Sequence, residues 1–253
     1  MKKFIFLLIL ILTFTINFTY ANDKLITVNP KSTVTVNFSA NNFEKIKIGI
    51  TKDQTTYYYN LNNKTETYPL QMGNGKYSLT IYKHVNENNY KLVETTTFNN
   101  ESKKNDVFLS SSQNVFWKNS DKVANLAKNL TKDLETDKEK FKAIYNYVTK
   151  SIKYDYNKAS NVKSSYIPNL KKILESKDGI CYDYSSLLAA MLRSQNIPTK
   201  LVKGTSTNTN YYHAWNEVYL NGQWFIVDTT IDASNNISNI FKNSSNYFAE
   251  KIY

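Results

Sequence analysis

The chain has 253 residues, is 41% hydrophobic and 14% aromatic, and carries a formal net charge of +11. This is globular composition, and it excludes disordered, collagen-like and disulfide-stapled classes. One cysteine, Cys181, and two histidines, His84 and His213, are too few for a cysteine- or histidine-rich metal cluster, so no metal or cofactor is expected. Arg193 is the only arginine. Nucleic-acid readers depend on arginine forks, so no nucleic-acid partner is expected. A lysine-rich surface fits either simple solvation or loose attraction to anionic cell-envelope polymers.

Lys2 and Lys3 precede an apolar run from Phe4 to Phe14, followed by polar and small residues up to Ala21. Residues 1–21 read as a secretory signal peptide. The apolar run is shorter than the ~20 residues of a membrane-spanning helix. Cleavage would leave 253 − 21 = 232 residues with a net charge of 30 − 21 = +9. The expected product is secreted or cell-wall associated, with no stable membrane anchor.

Residues 22–118 follow a period of two. Val34, Val36 and Phe38 alternate with polar residues, as do Ile46, Ile48 and Ile50, and Tyr77, Leu79 and Ile81. Residues 90–98 supply a fourth strand. Turn-rich Asn and Gly clusters separate them, as expected for an immunoglobulin-like β-sandwich domain. His84 is expected in an exposed turn.

In residues 119–253 the period becomes helical. Val123, Leu126, Ala127 and Leu130 share a face. Thr136 and Glu139 form a capping box before the stripe Phe141, Ile144, Tyr145, Val148 and Ile152. A short helix is expected near residues 168–176. Gly179 is expected to supply a tight turn before a helix over 181–195. In that helix Tyr184, Leu187, Leu188, Met191 and Leu192 form the core-facing stripe.

Cys181 stands at the start of this helix. Unpaired amides at a helix N-terminus favour a thiolate and can hold an oxyanion. A lone free thiol in an exported protein is an oxidation liability, which weakens the reading of an inert buried cysteine. Further on, Asn221-Gly222 separates two aromatic-rich strands, the signature of a two-residue hairpin. This register pairs Leu220 with Gln223 and Tyr219 with Trp224. Continued outward, it opposes Trp215 to Asp228 and His213 to Thr230. His213 and Asp228 become diagonal neighbours on one face, ~7–8 Å apart at Cα. Ala214, Val218, Leu220, Phe225 and Val227 line the other face. The Cys181 helix is expected on the His213 face, where Asp228 orients the imidazole and the imidazole meets the thiol. The tryptophans there read as packing residues.

GICYDYSSLLAAMLRSQNIPTKLVKG and YHAWNEVYLNGQWFIVDTT, together with DKEKFKAIYNYVTKSIKYDY upstream, resemble the bacterial transglutaminase-like superfamily over residues 120–232. The resemblance implies an α+β, papain-like core behind the β-sandwich. It also implies Cys181 as nucleophile, His213 as general base and acid, and Asp228 as the orienting carboxylate. The implied chemistry is acyl transfer through a thioester on protein or peptidoglycan-peptide amides, ending in crosslinking, proteolysis or deamidation. The family's second oxyanion donor is a side chain upstream of the nucleophile, with Tyr154 and Tyr166 as candidates. No calcium site is visible, and Asp155 and Asp183 are expected to be solvated. The rival reading is a non-enzymatic envelope-binding protein that uses the same fold as a scaffold.

Overall fold

The structure, a computed structural model, describes residues 25–40, 44–102, 105–235 and 239–253. The segment read as a signal peptide lies outside the described residues. Among those residues no helix is long and apolar enough to cross a membrane.

Seven strands come first: β1 (Ile26–Asn29), β2 (Thr33–Asn37), β3 (Ile46–Lys52), β4 (Thr55–Leu61), β5 (Thr65–Pro69), β6 (Gly75–Asn86) and β7 (Asn89–Asn100). They form two antiparallel sheets, ordered β1-β2-β5 and β4-β3-β6-β7. Val34, Val36 and Tyr68 of the first sheet and Ile48, Ile50, Leu79 and Ile81 of the second share one buried cluster. Tyr77, near the start of β6, is buried and donates its hydroxyl to the carbonyls of Leu70 at 3.1 Å and Gly73 at 2.7 Å. Immunoglobulin-type sandwiches tie the same corner with a tyrosine.

The second half contains α1 (Lys122–Thr131), α2 (Asp137–Ser151), β8 (Lys153–Tyr154), α3 (Tyr156–Asn161), α4 (Leu170–Ser176), β9 (Asp178–Gly179), α5 (Cys181–Ser194), β10 (Thr199–Ser206), β11 (Thr209–Leu220), β12 (Gln223–Val227), α6 (Thr229–Asn235) and β13 (Tyr247–Ile252). The Thr136–Glu139 capping box is present, and the expected α2 stripe from Phe141 to Ile152 is buried. β10 to β13 make one antiparallel sheet in the order β12-β11-β10-β13.

Several expectations need correction. From Tyr182 to Arg193 every residue of α5 is buried. The helix is therefore the centre of the core rather than an amphipathic cover, because α1, α2 and α4 enclose the side away from the sheet. It packs on the face bearing Ala214, Val218 and Leu220, not on the His213 face. Asn216 lies on that same face and donates to the Ser185 carbonyl at 2.9 Å. The hairpin keeps its expected register from Leu220–Gln223 to Asn216–Val227 and then stops. Thr230 is in α6, so it does not oppose His213. Gly179 makes no turn. It bridges to Tyr154 in a short parallel pair, where a Cβ would lie 2.7 Å from that of Asp183.

β13 reaches β10 through a register shift between Lys203 and Gly204. A Cβ on Gly204 would sit 2.0 Å from the Phe248 carbonyl oxygen, a backbone atom that cannot step aside. Gly204→Ala is expected to destabilise the fold by about 1–3 kcal/mol through overpacking. Thermal or urea denaturation of the variant measures this.

Candidate active site

Cys181 is the first residue of α5 and is partly exposed, while the helix behind it is fully buried. The N-cap residue, Ile180, has no side-chain acceptor for the helix amides. The Asp183 carboxylate stabilises this end instead. Its Oδ2 accepts the Ile180 amide at 2.9 Å and Lys158 Nζ at 2.6 Å, and its Oδ1 accepts the Tyr166 hydroxyl at 2.5 Å. Asp183 is thus wholly buried and not solvated as expected. Asp155 caps α3 through the Lys158 amide at 2.9 Å. Among the described residues, the Cys181 and Tyr182 amides donate to no protein acceptor. Two unpaired N–H groups therefore lie beside the sulfur, where a helix N-terminus attracts negative charge.

His213 lies on β11, beyond the last rung to β12, and is buried. Its Nε2 is 2.8 Å from Asp228 Oδ2, and the ring lies within interaction range of Cys181. With Nε2 engaged by the carboxylate, Nδ1 is the nitrogen left for the sulfur. Asp228 is fully buried between the end of β12 and the start of α6. It acts as a cap for α6, with Oδ1 accepting the Ile231 amide at 3.2 Å and its carbonyl accepting the Asp232 amide at 3.1 Å. The pair with His213 forms as expected, but at a strand-to-helix junction rather than across a hairpin.

Tyr247 of β13 donates its hydroxyl to Asp228 Oδ2 at 3.0 Å and packs its ring 5.1 Å from that of Trp215. The Trp215 ring in turn stacks on the imidazole at 6.3 Å. The sequence gives Tyr247 no role, because only the pairing of its strand back onto β10 brings it to Asp228. Of the two tyrosines singled out, Tyr166 is bound to Asp183. Tyr154, held by its bridge to Gly179, lies within electrostatic reach of Cys181. Burial, and then the Cys181 charge, raises Tyr154 to about 12, which keeps its hydroxyl a donor. That hydroxyl has no hydrogen-bond partner among the described residues. His84 is half-buried rather than exposed, with Nε2 3.0 Å from the Glu87 carbonyl oxygen.

Burial lowers the His213 pKa, but the interactions with Asp228 and Cys181 outweigh it and raise the value to about 10. The imidazole is therefore a cation at neutral pH, beside a sulfur and the free amides of α5.

Residues 124–229 match the family model of the transglutaminase-like superfamily. The chain carries a transglutaminase-like core. Human kyphoscoliosis peptidase is 30% identical over an alignment of 116 residues that covers 42% of this chain and 17% of that protein. The mouse protein of the same name is 29% identical over the same length. The chain thus spans less than a fifth of the length of these two relatives. Among solved structures, a proposed cysteine protease from Cytophaga hutchinsonii aligns with a TM-score of 0.45 at 18% identity, covering 78% of this chain and 71% of that one. The periplasmic domain of TgpA from Pseudomonas aeruginosa aligns at 0.40 and 13% identity, covering 63% and 71%. The match to the transglutaminase-like core ends at residue 229, so Tyr247 reaches Asp228 from a strand outside the matched segment.

The raised histidine pKa sets a pH dependence. An unfolded histidine titrates near ~6.5. The imidazolium interactions therefore stabilise the fold fully below about pH 6.5, and that stability is withdrawn as pH rises through the folded value of about 10. The stability advantage of the native chain over His213→Gln should shrink steadily across that window. Urea titrations at successive pH values measure it. A constant difference would contradict the assignment.

Proposed function

We propose that this protein is a thiol-dependent acyl-transfer enzyme acting on protein or peptide amides, with Cys181 as nucleophile, His213 as proton carrier and Asp228 as its orienting carboxylate. The single observation that carries this reading is the imidazole held between the Asp228 carboxylate and the Cys181 sulfur at the head of a helix with free amides. A neighbouring cation favours the thiolate, the form that attacks. The transglutaminase-like core supports the reading independently.

In the first step the sulfur attacks the carbonyl carbon of a carboxamide or peptide bond. The oxyanion develops toward the Cys181 and Tyr182 amides, with the Tyr154 hydroxyl as a second kind of donor. The C–N bond breaks as the imidazolium gives its proton to the leaving nitrogen, leaving a thioester on Cys181 and a neutral imidazole. In the second step an amine or water attacks the thioester and gives its proton to the imidazole. The C–S bond breaks and the thiolate–imidazolium pair returns. A lysine acceptor yields an isopeptide crosslink, and water yields a carboxylic acid by deamidation or peptide cleavage. The basic start, apolar run and Ala21 of residues 1–21 support export, with the substrate on proteins or peptides of the cell envelope. Residues 22–118 are read as an immunoglobulin-like domain that presents substrate to a catalytic domain over 119–253.

Two measurements test this. Iodoacetamide should label Cys181 rapidly at pH 6.5. His213→Ala should slow labelling at that pH by roughly tenfold or more, because the neighbouring cation that favours the attacking thiolate is lost. Equal rates would remove the enzymatic reading. Incubation with a Gln-bearing peptide and a labelled primary amine, read by mass, then separates amine incorporation, deamidation and cleavage. Tyr154→Phe should lower turnover by roughly ten- to a thousandfold while leaving iodoacetamide labelling fast, because an oxyanion donor acts after attack begins.

A further inference from the structure

A polar cleft with a volume of about 550 Å³ opens between the sandwich and the core. Tyr59 lines one side and Tyr182, the neighbour of Cys181, the other. Its charged lining comprises Lys45, Lys47 and Lys203 against the single acid Glu87, so its field is positive. Lys203 is the deepest of these in chemical terms. It sits on β10 opposite Ala214, on the face that packs against α5. Its Nζ lies 3.3 Å from the centre of the Tyr182 ring and 5.6 Å from that of Tyr253. Among the described residues no carboxylate pairs with it. The ammonium is within electrostatic reach of the Cys181 sulfur. Two ring faces therefore hold a cation at the cleft wall, within electrostatic reach of the nucleophile, with its hydrogens unmatched by any acid among the described residues.

We propose that Lys203 is a carboxylate-recognition subsite, so that the preferred acyl donor carries an acidic side chain or a free terminal carboxylate within one or two residues of the reactive amide. The inference rests on the acyl-transfer reading and adds the substrate class to it. Burial lowers the Lys203 ammonium to about 8 against the raising effect of Cys181, so most of it remains charged at neutral pH. A substrate carboxylate would complete an ion pair that the tyrosine rings shield from water, and charge-assisted bonds of this kind are the strong ones. An amide at the same place would leave the ammonium unmatched.

The test uses paired peptide vinyl sulfones, in which the electrophile replaces the reactive carboxamide. One series carries Glu or Gln at each of the two flanking positions on either side. A second ends in a free carboxylate or a carboxamide. The readout is the ratio of Cys181 capture rates within each pair, which cancels any change in thiol reactivity. The native chain should favour one acidic probe by on the order of tenfold or more, and the responding series tells side chain from terminus. Lys203→Met should bring that ratio to one, Lys203→Arg should retain it, and Lys203→Glu should invert it. The arginine and glutamate variants keep the test decisive if the methionine variant misfolds. A native ratio of one in every pair, or a ratio that survives in Lys203→Met, overturns the proposal while acyl transfer stands. Failure of all probes to label Cys181 faster than free cysteine overturns the acyl-transfer reading, and this inference with it.

Discussion

The two oxygens of Asp228 bring three separate elements to one point. One accepts the amide that starts α6, and the other takes both His213 from β11 and Tyr247 from β13. A fully buried carboxylate is costly unless its lone pairs are matched, and here each oxygen is matched. The same bonds that offset its burial fix the imidazole. Remove the carboxylate and the ring loses its orientation, α6 loses its cap and β13 loses its anchor. α6 is tied down further by Asp232, which accepts the Tyr145 hydroxyl at 2.7 Å and is paired with Lys242. The strand-to-helix junction is thus held from α2 as well as from the sheet.

The sulfur is positioned by a different device. A helix buried along almost its whole length cannot rotate or slide without disturbing close-packed neighbours. Its first residue is therefore fixed as firmly as its middle. What remains to be satisfied is the amide end, and Asp183 takes the Ile180 amide while leaving those of Cys181 and Tyr182 open. Gly179 is needed because any side chain there would occupy the space of Asp183. The glycine four residues before the aspartate, with the cysteine between, is a packing requirement rather than a turn. Lys158 and Tyr166 neutralise and hydrogen-bond the same carboxylate, which ties α3 and the following loop to the helix end.

The local rules were legible in the chain. Alternation gave β2, β3 and β6, the Thr136–Glu139 box gave the start of α2, and Asn221-Gly222 gave the hairpin register. What escaped was whatever depended on partners distant along the chain. β4 and β5 were missed because polar residues and like neighbours hide the alternation: in Thr55–Leu61, Tyr57 and Tyr59 are buried while Tyr58 between them is exposed. The α5 packing face was misjudged because both hairpin faces are apolar, and pattern alone does not say which one a helix covers. Asp183 read as a surface acid because nothing nearby in sequence announces Lys158 and Tyr166 as its partners. The contact between His213 and Asp228 was reached by extending a ladder that ends at Val227, so the right neighbours followed from an incomplete geometry. Tyr247 carries no motif, and only the return of β13 to β10 gives it a place.

Polar side chains that bind backbone groups help join the two halves. Arg193, the only arginine, is buried and pairs with no side-chain carboxylate among the described residues. It donates to the carbonyls of Thr199 at 2.8 Å, Ser110 at 2.7 Å and Tyr253 at 2.8 Å. Its guanidinium thus binds α5 to β10, to the segment that leaves the sandwich and to the residue after β13. A planar fork with five donors can serve three carbonyls at once, which a lysine cannot. The Gln113 side chain performs the reciprocal task, accepting the Asn60 amide and donating to the Asn60 carbonyl and to Glu66 at 2.7 Å. The Ile252 amide reaches the Tyr57 hydroxyl at 3.1 Å. These bonds set the width of the cleft that separates Tyr59 from Tyr182. The sandwich therefore forms one wall of that cleft, and Arg193 ties the segment that leaves it to the helix that carries Cys181.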